Sequence, residues 1–326
     1  MRSAIVVGSA GQDGSLLSDR LERDGWIVAG VDREVVTVRN GGGIRLPASI
    51  DVLDPAAVDD LVRRVSPSSL YYLAAYHHSS EDLERDEPRL LARSFDVNVR
   101  GLVNALESAR TIAPRCRVFY AASSHVFGDP KDPIQDERTP MEPRSAYGIT
   151  KAAGVHYCRT YREEHGMHAS VGVLYNHESP LRAPSFVSRR IVDGARAARA
   201  YADRPGASAS DAAAPRLRLG SLAAVVDWGF APDYVDAMVR IVARDVPDDY
   251  VVATGAPHTV EDFVSCAFRE VGLDFRSWVE ESPGILRKPA AIRVGDARKL
   301  RDLTGWAPSV TFEEMVRRLV RAPPDR

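Results

Sequence analysis

Cysteine is scarce: Cys116, Cys158 and Cys266 are the only three among 326 residues. Their odd number and wide spacing exclude a disulfide framework or a thiolate metal centre, and fit free, mostly buried thiols of a reducing compartment. An excess of charge of one sign is also missing. Lys and Arg number 43 against 45 Asp and Glu, a formal net charge of -2. Both signs are interspersed, with no basic block and no basic-aromatic alternation, so nucleic-acid binding is excluded. No apolar run approaches membrane-spanning length, and Met1-Arg2-Ser3 leads into Ala4-Ile5-Val6-Val7 without a signal-peptide pattern, so the expected location is the cytoplasm. No internal repeat occurs. What is there, 44% hydrophobic and 27% charged, suffices for one large domain with an appended lobe, or two domains.

Ala4 to Val7 reads as a strand. It runs into Gly8-Ser9-Ala10-Gly11-Gln12-Asp13-Gly14 and then into Ser15 to Leu21, whose apolar residues recur at helical spacing. Gly8, Gly11 and Gly14 keep the spacing in which the first glycine permits a tight turn, the second lets backbone approach a pyrophosphate and the third lets helix pack close to strand. The helix start would hold the anion through free N–H groups and the macrodipole. A second strand, Trp26 to Val31, ends at Asp32. A carboxylate there accepts from ribose hydroxyls and repels a 2′-phosphate, which favours NAD, whereas Arg33 could pair with that phosphate and keeps NADP open. Thr37 to Gly43 reads as a flexible loop. Asp51 and Val52, expected after a further short strand, are candidate adenine contacts, with Asp51 alternatively a helix cap ahead of Pro55. Leu70 to Ala75 reads as the next strand, and Leu73, Ala74 and Ala75 at its end are candidates to lie against the cofactor. Adjacent histidines such as His77 and His78 rarely converge on one ion, so they read as substrate-side loop and no metal is expected.

Phe95 to Ala109 carries Val99, Leu102, Val103 and Leu106 on one helical stripe. Val118 to Ala122 then reads as a buried parallel strand with Ser123, Ser124 and His125 at its carboxyl end, where open α/β sheets place ligands. Tyr147 and Lys151 stand four apart on a helix, hence on one face. Phenols titrate near 10, so a tyrosine base at neutral pH needs a lowering of roughly 3 units. The Lys151 cation and an oxidised nicotinamide would together supply it. The helix continues to about Glu164, and a strand from Ala169 to Leu174 follows. Residues 195–215 read as a solvated loop. Leu217 to Leu222, Asp227 to Val235 and Tyr250 to Gly255 return to the core. The alternation predicts an α/β doubly wound parallel sheet, a Rossmann domain from 1–176 and 222–254, with a smaller α/β substrate-binding lobe from 177–221 and 255–326.

These motifs together resemble the GDP-mannose 4,6-dehydratases, a group of extended short-chain dehydrogenase/reductase enzymes. The resemblance rests on Gly8-x-x-Gly11-Gln12-Asp13-Gly14, the Tyr147/Lys151 pair, Asn176-His177-Glu178-Ser179-Pro180, Asp227-Trp228-Gly229, Pro232-Asp233-Tyr234-Val235 and Ala253-Thr254-Gly255. It implies an NAD(P)-dependent lyase in which the hexose C4 hydroxyl is oxidised, C5 loses a proton, and the 6-hydroxyl departs as water. By the same resemblance Tyr147 is the base, Lys151 its electrostatic partner, and Ser123 the hydroxyl near C4. Gln12, Asp13, His177 and Arg182 are cofactor contacts, and Ser124, Asn176, Glu178, Val187, Arg189 and Lys288 are substrate contacts. His125 departs, since the dehydratases carry Glu there as the base at C5. An imidazole could complete the dehydration, return the proton for C5 or C3/C5 epimerisation, or leave a simple C4 oxidoreductase. A non-catalytic nucleotide-binding regulatory subunit is the alternative of another class. Val225 and Val226 replace basic residues, Lys288-Pro289 and Ala291 replace an Arg-Pro and a nearby Glu, and Val35 to Arg45 lacks an Arg-Ser-rich sequence that grips a 2′-phosphate. The implied partners are a GDP-linked hexose or heptose and a second copy of the chain in a homodimer.

Overall fold

The computed structural model describes residues 2–41, 43–76, 87–282 and 292–323. Apolar runs ended by glycine turns become the strands of a seven-stranded sheet. β1 (Ser3–Val7) is followed by α1 (Gln12–Arg23), β2 (Ile27–Val31), β3 (Val36–Arg39), α2 (Pro55–Val65), β4 (Ser69–Tyr72), α3 (Glu87–Phe95), α4 (Gly101–Ile112) and β5 (Arg117–Ser123). Then come β6 (Ile134–Gln135), α5 (Ala146–His165), β7 (Ala169–Leu174), β8 (Asn176–Glu178), α6 (Val187–Ala202), β9 (Leu217–Leu219), β10 (Val225–Phe230), α7 (Ala231–Ala243) and β11 (Asp249–Val252). The chain closes with β12 (Pro257–Thr259), α8 (Val260–Glu270), β13 (Val279–Glu281), β14 (Val294–Gly295), α9 (Arg298–Thr304) and α10 (Phe312–Arg321).

The sheet order is β11-β7-β5-β4-β1-β2-β3. All neighbours are parallel except β2 and β3. The order reverses between β1 and β4, and the crevice beyond their carboxyl ends is where such sheets bind dinucleotides. This is the doubly wound Rossmann architecture expected. A second hydrophobic core gathers α6, α8 and α10 around Trp228, Phe263 and Phe268. Here β10 joins a three-stranded sheet with β8 and β12, while α7, directly after it, packs on the main core through Tyr234, Met238 and Ile241.

Several local expectations are corrected. Thr37 to Gly43 is not simply a loop, because Val36–Arg39 pairs antiparallel with β2 in the register Val31↔Val36 to Val28↔Arg39, and Arg39 is held by Asp19 and Glu22 of α1. The short strand before Asp51 is β3, which ends at Arg39, and among the described residues no strand runs directly into Asp51. Its side chain accepts from Leu53 N at 2.9 Å, and the cap of α2 is Asp54, which accepts from Ala56 N at 3.0 Å. Residues 195–202 belong to α6, with Ala195 and Ala198 buried in the second core. Alanine carries too weak a hydrophobic signal for that stripe to stand out. The helix expected from Phe95 is interrupted by a π-turn, Asp96–Arg100.

Candidate active site

The glycine turn is shaped by its neighbours. Gly8 has φ +89°, and a Cβ on it would lie 2.6 Å from Ala74 N, while one on Gly14 would lie 2.1 Å from Gly8 O. Gly11 differs. Its Cβ would meet nothing closer than Gly8 O at 3.4 Å, so no neighbour among the described residues demands a glycine at the N-cap of α1. A ligand approaching that helix end would, and the residues present therefore fit a dinucleotide. Asp32 stands at the end of β2 and accepts from Ala10 N at 3.1 Å and Arg33 N at 2.8 Å; the Arg33 side chain is exposed. Leu73 N donates to Val7 O at 2.9 Å. Ala74 lies against Gly8 and Ala75 is exposed at the crevice end of β4. Val52 O accepts from Asn104 at 2.9 Å.

Beyond β5 the chain turns sharply through Ser124–Phe127, with Ser123 Oγ accepting from His125 N at 3.3 Å. α5 begins at the Ser145 cap, whose Oγ accepts from Gly148 N at 3.1 Å. A Cβ on Gly148 would stand 2.6 Å from His125 O, so the first turn of α5 lies directly on the turn that carries His125. The rings of His125 and Tyr147 consequently meet edge to face, 5.7 Å between centroids. Ser123 hydrogen-bonds the Tyr147 phenol.

Lys151 is buried, and its Nζ donates to Ala121 O at 2.7 Å, 5.8 Å from the Tyr147 ring centroid and 5.0 Å from that of Tyr120. Burial sets both protonation equilibria. Tyr147 is pushed up to about 12, against the lowering effects of Ser123 and Arg182. Lys151 is pulled down to about 7, against the raising effect of Asp13. In the protein alone the phenol thus lies above its ordinary value, because a low-dielectric site penalises either charge; the lowering expected of Lys151 and an oxidised nicotinamide together belongs to the cofactor-bound protein.

Gln12, Asp13, His177 and Ser179 bond chiefly to one another. His177 Nε2 lies 2.8 Å from Asp13 Oδ2 and Nδ1 lies 2.6 Å from Tyr175 O. Gln12 donates to His177 O at 3.1 Å and accepts from Ser179 Oγ at 2.8 Å. His177 also stacks on Tyr234 at 4.4 Å. Burial alone would raise Asp13, yet the charge of and hydrogen bond from His177 leave it below the usual carboxylate range. Burial would lower His177, and Asp13 instead leaves it raised. Both directions describe an ion pair.

The substrate candidates are distributed along β8 and α6. Asn176 opens β8 opposite Trp228. Glu178 is buried, accepting from Ser188 Oγ at 2.6 Å and pairing with Arg182 Nε at 3.1 Å. Val187 begins α6 half-buried against the second core. Arg189 pairs with Asp193 at 2.9 Å and donates to Pro180 O at 3.1 Å. Ser124 is buried in the turn. Lys288 and the pair His77 and His78 lie outside the described residues. Sequence reasoning missed Asn98. This fully buried residue sits in the π-turn, accepts from Tyr76 N at 2.9 Å and donates to Thr150 Oγ1 at 2.9 Å, which in turn donates to Tyr147 O at 3.0 Å. The signal was present: an amide inside an otherwise apolar stripe.

The sequence matches the family described as GDP-mannose 4,6 dehydratase over residues 5–319. It is 34% identical to GDP-mannose 4,6 dehydratase 2 of Arabidopsis thaliana, covering 97% of this chain and 85% of that protein. It is 31% identical to GDP-mannose 4,6-dehydratase of Sinorhizobium fredii, covering 98% and 95%. Among solved structures, dTDP-glucose 4,6-dehydratase from Bacillus anthracis in complex with NAD superposes with a TM-score of 0.80 at 18% identity, covering 98% of this chain and 96% of that one. UDP-glucose 4-epimerase from Thermus thermophilus with NAD gives 0.77 at 24%, covering 98% and 97%. At that identity both likenesses speak to the fold.

Proposed function

The chain belongs to the GDP-mannose 4,6-dehydratase family, and from that premise we propose that it oxidises the hexose of a GDP-linked sugar at C4 and then acts at C5 through His125, completing a 4,6-dehydration. The observation that carries this reading is the meeting of His125 with Tyr147, edge to face on two elements that Gly148 allows to touch. Tyr147 takes the proton of the C4 hydroxyl while Ser123 steadies the oxygen. When bound, the nicotinamide would supply positive charge beside the phenol, a hydride acceptor and later a hydride donor. The new ketone acidifies C5, and the imidazole of His125 takes that proton and returns it to the departing 6-hydroxyl.

NAD is preferred to NADP because Asp32 holds its carboxylate at the end of β2, where a 2′-phosphate would meet it. The sugar is a hexose or heptose derivative, and the reaction belongs to the cytoplasm. A homodimer is supported by Leu91 and Phe95 of α3 with Ile149 and Tyr157 of α5, large apolar side chains exposed on two helices; sedimentation should return twice the chain mass. Epimerisation at C5 is the second reading, favoured by one feature, that an imidazolium can hand the proton back to carbon. His125→Ala should abolish dehydration of GDP-mannose and His125→Glu should retain or raise it, read as product formed per enzyme. Wild-type turnover by His125→Ala would refute the assignment.

A further inference from the structure

An ammonium withdrawn from water needs a counter-charge or a substitute for one. Lys151 is buried, and among the described residues no carboxylate pairs with it; its Nζ donates to Ala121 O at 2.7 Å. What else surrounds it is aromatic. The Nζ stands over the ring of Tyr120, 5.0 Å from the centroid, and over that of Tyr147 at 5.8 Å. The electron-rich face of a ring attracts a cation, most strongly where water is excluded.

The two rings are not equivalent. Tyr147 changes charge in the reaction proposed above, whereas Tyr120 is fully buried and burial pushes its phenol well above the usual tyrosine range, so it stays neutral throughout. Tyr120 is also fixed on every side. It precedes Ala121 on β5, its phenol donates to Lys151 O at 3.5 Å, and the ring of Tyr72 on β4 backs it at 6.4 Å. A Cβ on Gly154 would lie 2.3 Å from the Tyr120 phenol oxygen. Gly154 is a buried glycine inside α5, a residue that weakens a helix, and the Tyr120 ring fills the space it leaves. The other charged or titratable groups nearby are less direct. Asp13 of α1 favours the ammonium but is itself paired with His177. His125 and Arg182 act on Tyr147, and Cys158 of α5 acts on Tyr120.

We propose that Tyr120 is a positioning residue for the reaction: its ring face serves Lys151 in place of the missing carboxylate, keeping the ammonium charged beside Tyr147 when a positively charged nicotinamide binds. The inference rests on the role of Lys151 in the reading above, and its first test needs no substrate. The chain has four lysines, Lys131, Lys151, Lys288 and Lys299, so protein carrying isotopically labelled lysine gives a magnetic-resonance spectrum in which Lys151 can be followed through a pH titration, its signal assigned by its loss in Lys151→Arg. With NAD bound or absent, Tyr120→Leu should lower the Lys151 midpoint by about one pH unit, and Tyr120→Phe, which keeps the ring, should hold it at the wild-type value. The alkaline limit of single-turnover nicotinamide reduction by GDP-mannose should fall by the same amount in Tyr120→Leu, because the neutral amine no longer supports the phenolate.

A lower melting temperature in Tyr120→Leu with the Lys151 midpoint unmoved would make Tyr120 a packing residue and overturn the proposal. Should Tyr120→Leu fail to fold, a ring-fluorinated phenylalanine at position 120 takes its place, nearly the same in shape but with electron density drawn off its face. Its Lys151 midpoint should lie below that of Tyr120→Phe, and equal midpoints would overturn the proposal. If the midpoint follows the ring yet no GDP-sugar reduces the nicotinamide, the role of Tyr120 toward Lys151 stands and the GDP-sugar reading falls.

Discussion

Lys151 has only 1% of its surface exposed, and among the described residues its ammonium finds one carbonyl and two aromatic faces rather than a carboxylate. Tyr147, beside it, is held above its ordinary pKa. The pair is thus poised to change protonation when positive charge arrives, and the phenol oxygen is the atom that does so. Tyr147→Phe, which keeps the ring packed on His125, should cut turnover about 10²- to 10⁴-fold while cofactor affinity stays within about twofold. Single-turnover reduction of the nicotinamide and calorimetric titration of NAD check the two halves. Loss of cofactor affinity without loss of chemistry would move Tyr147 out of the catalytic role. At this scale the sequence was most legible where spacing alone dictates geometry, as in Tyr147 and Lys151 on one helical face. It was least legible where a residue acts through a distant partner. Nothing local to Thr150 announces that its hydroxyl bridges Asn98 and the Tyr147 carbonyl, since that contact joins residues 52 apart.

The α1 and β8 elements are joined by the Asp13–His177 pair and the Gln12–Ser179 bond. His177 is raised above its usual 6.5, so its contribution is complete below that value and is lost as pH rises through the raised folded value. Asp13 is lowered below its usual 3.8, so its contribution is present above that value and is lost as pH falls through the depressed folded one. Arg182 favours the carboxylate and opposes the imidazolium, and the effect of Asp13 on His177 is the larger. The melting-temperature gap between wild type and His177→Gln should therefore be wide at about pH 5.5 and narrow at about pH 9. A gap independent of pH would mean that the pair is not charged. Both motifs were visible in the sequence as cofactor contacts, but their reach toward one another crosses 164 residues and only the fold reveals it. Elements whose apolar residues are large, such as β1, β5 and β7, were legible throughout. α6 was not, because alanine and arginine stems bury little area that a hydropathy pattern registers, and β3 was obscured by the glycines that follow it.

For the whole molecule, the candidate site lies where the main sheet, through β5 and α5, meets the small sheet through β8. Asp227 ties that junction, accepting from Thr254 N and Gly255 N at 3.0 Å and from Gly295 N at 3.1 Å. Chain order hid the junction, since β8 reads in sequence as the tail of β7 and leaves the main sheet only because it pairs with β10. The arrangement brings an imidazole and a buried phenol edge to face, and the central claim is that this pair drives oxidation at C4 followed by elimination across C5 and C6. Its most direct test is the mass of the product formed from GDP-mannose by the NAD-loaded enzyme in heavy water. The account predicts a nucleotide-sugar lighter by one water and carrying solvent deuterium. A product of unchanged elemental composition, or no product at all, would contradict it.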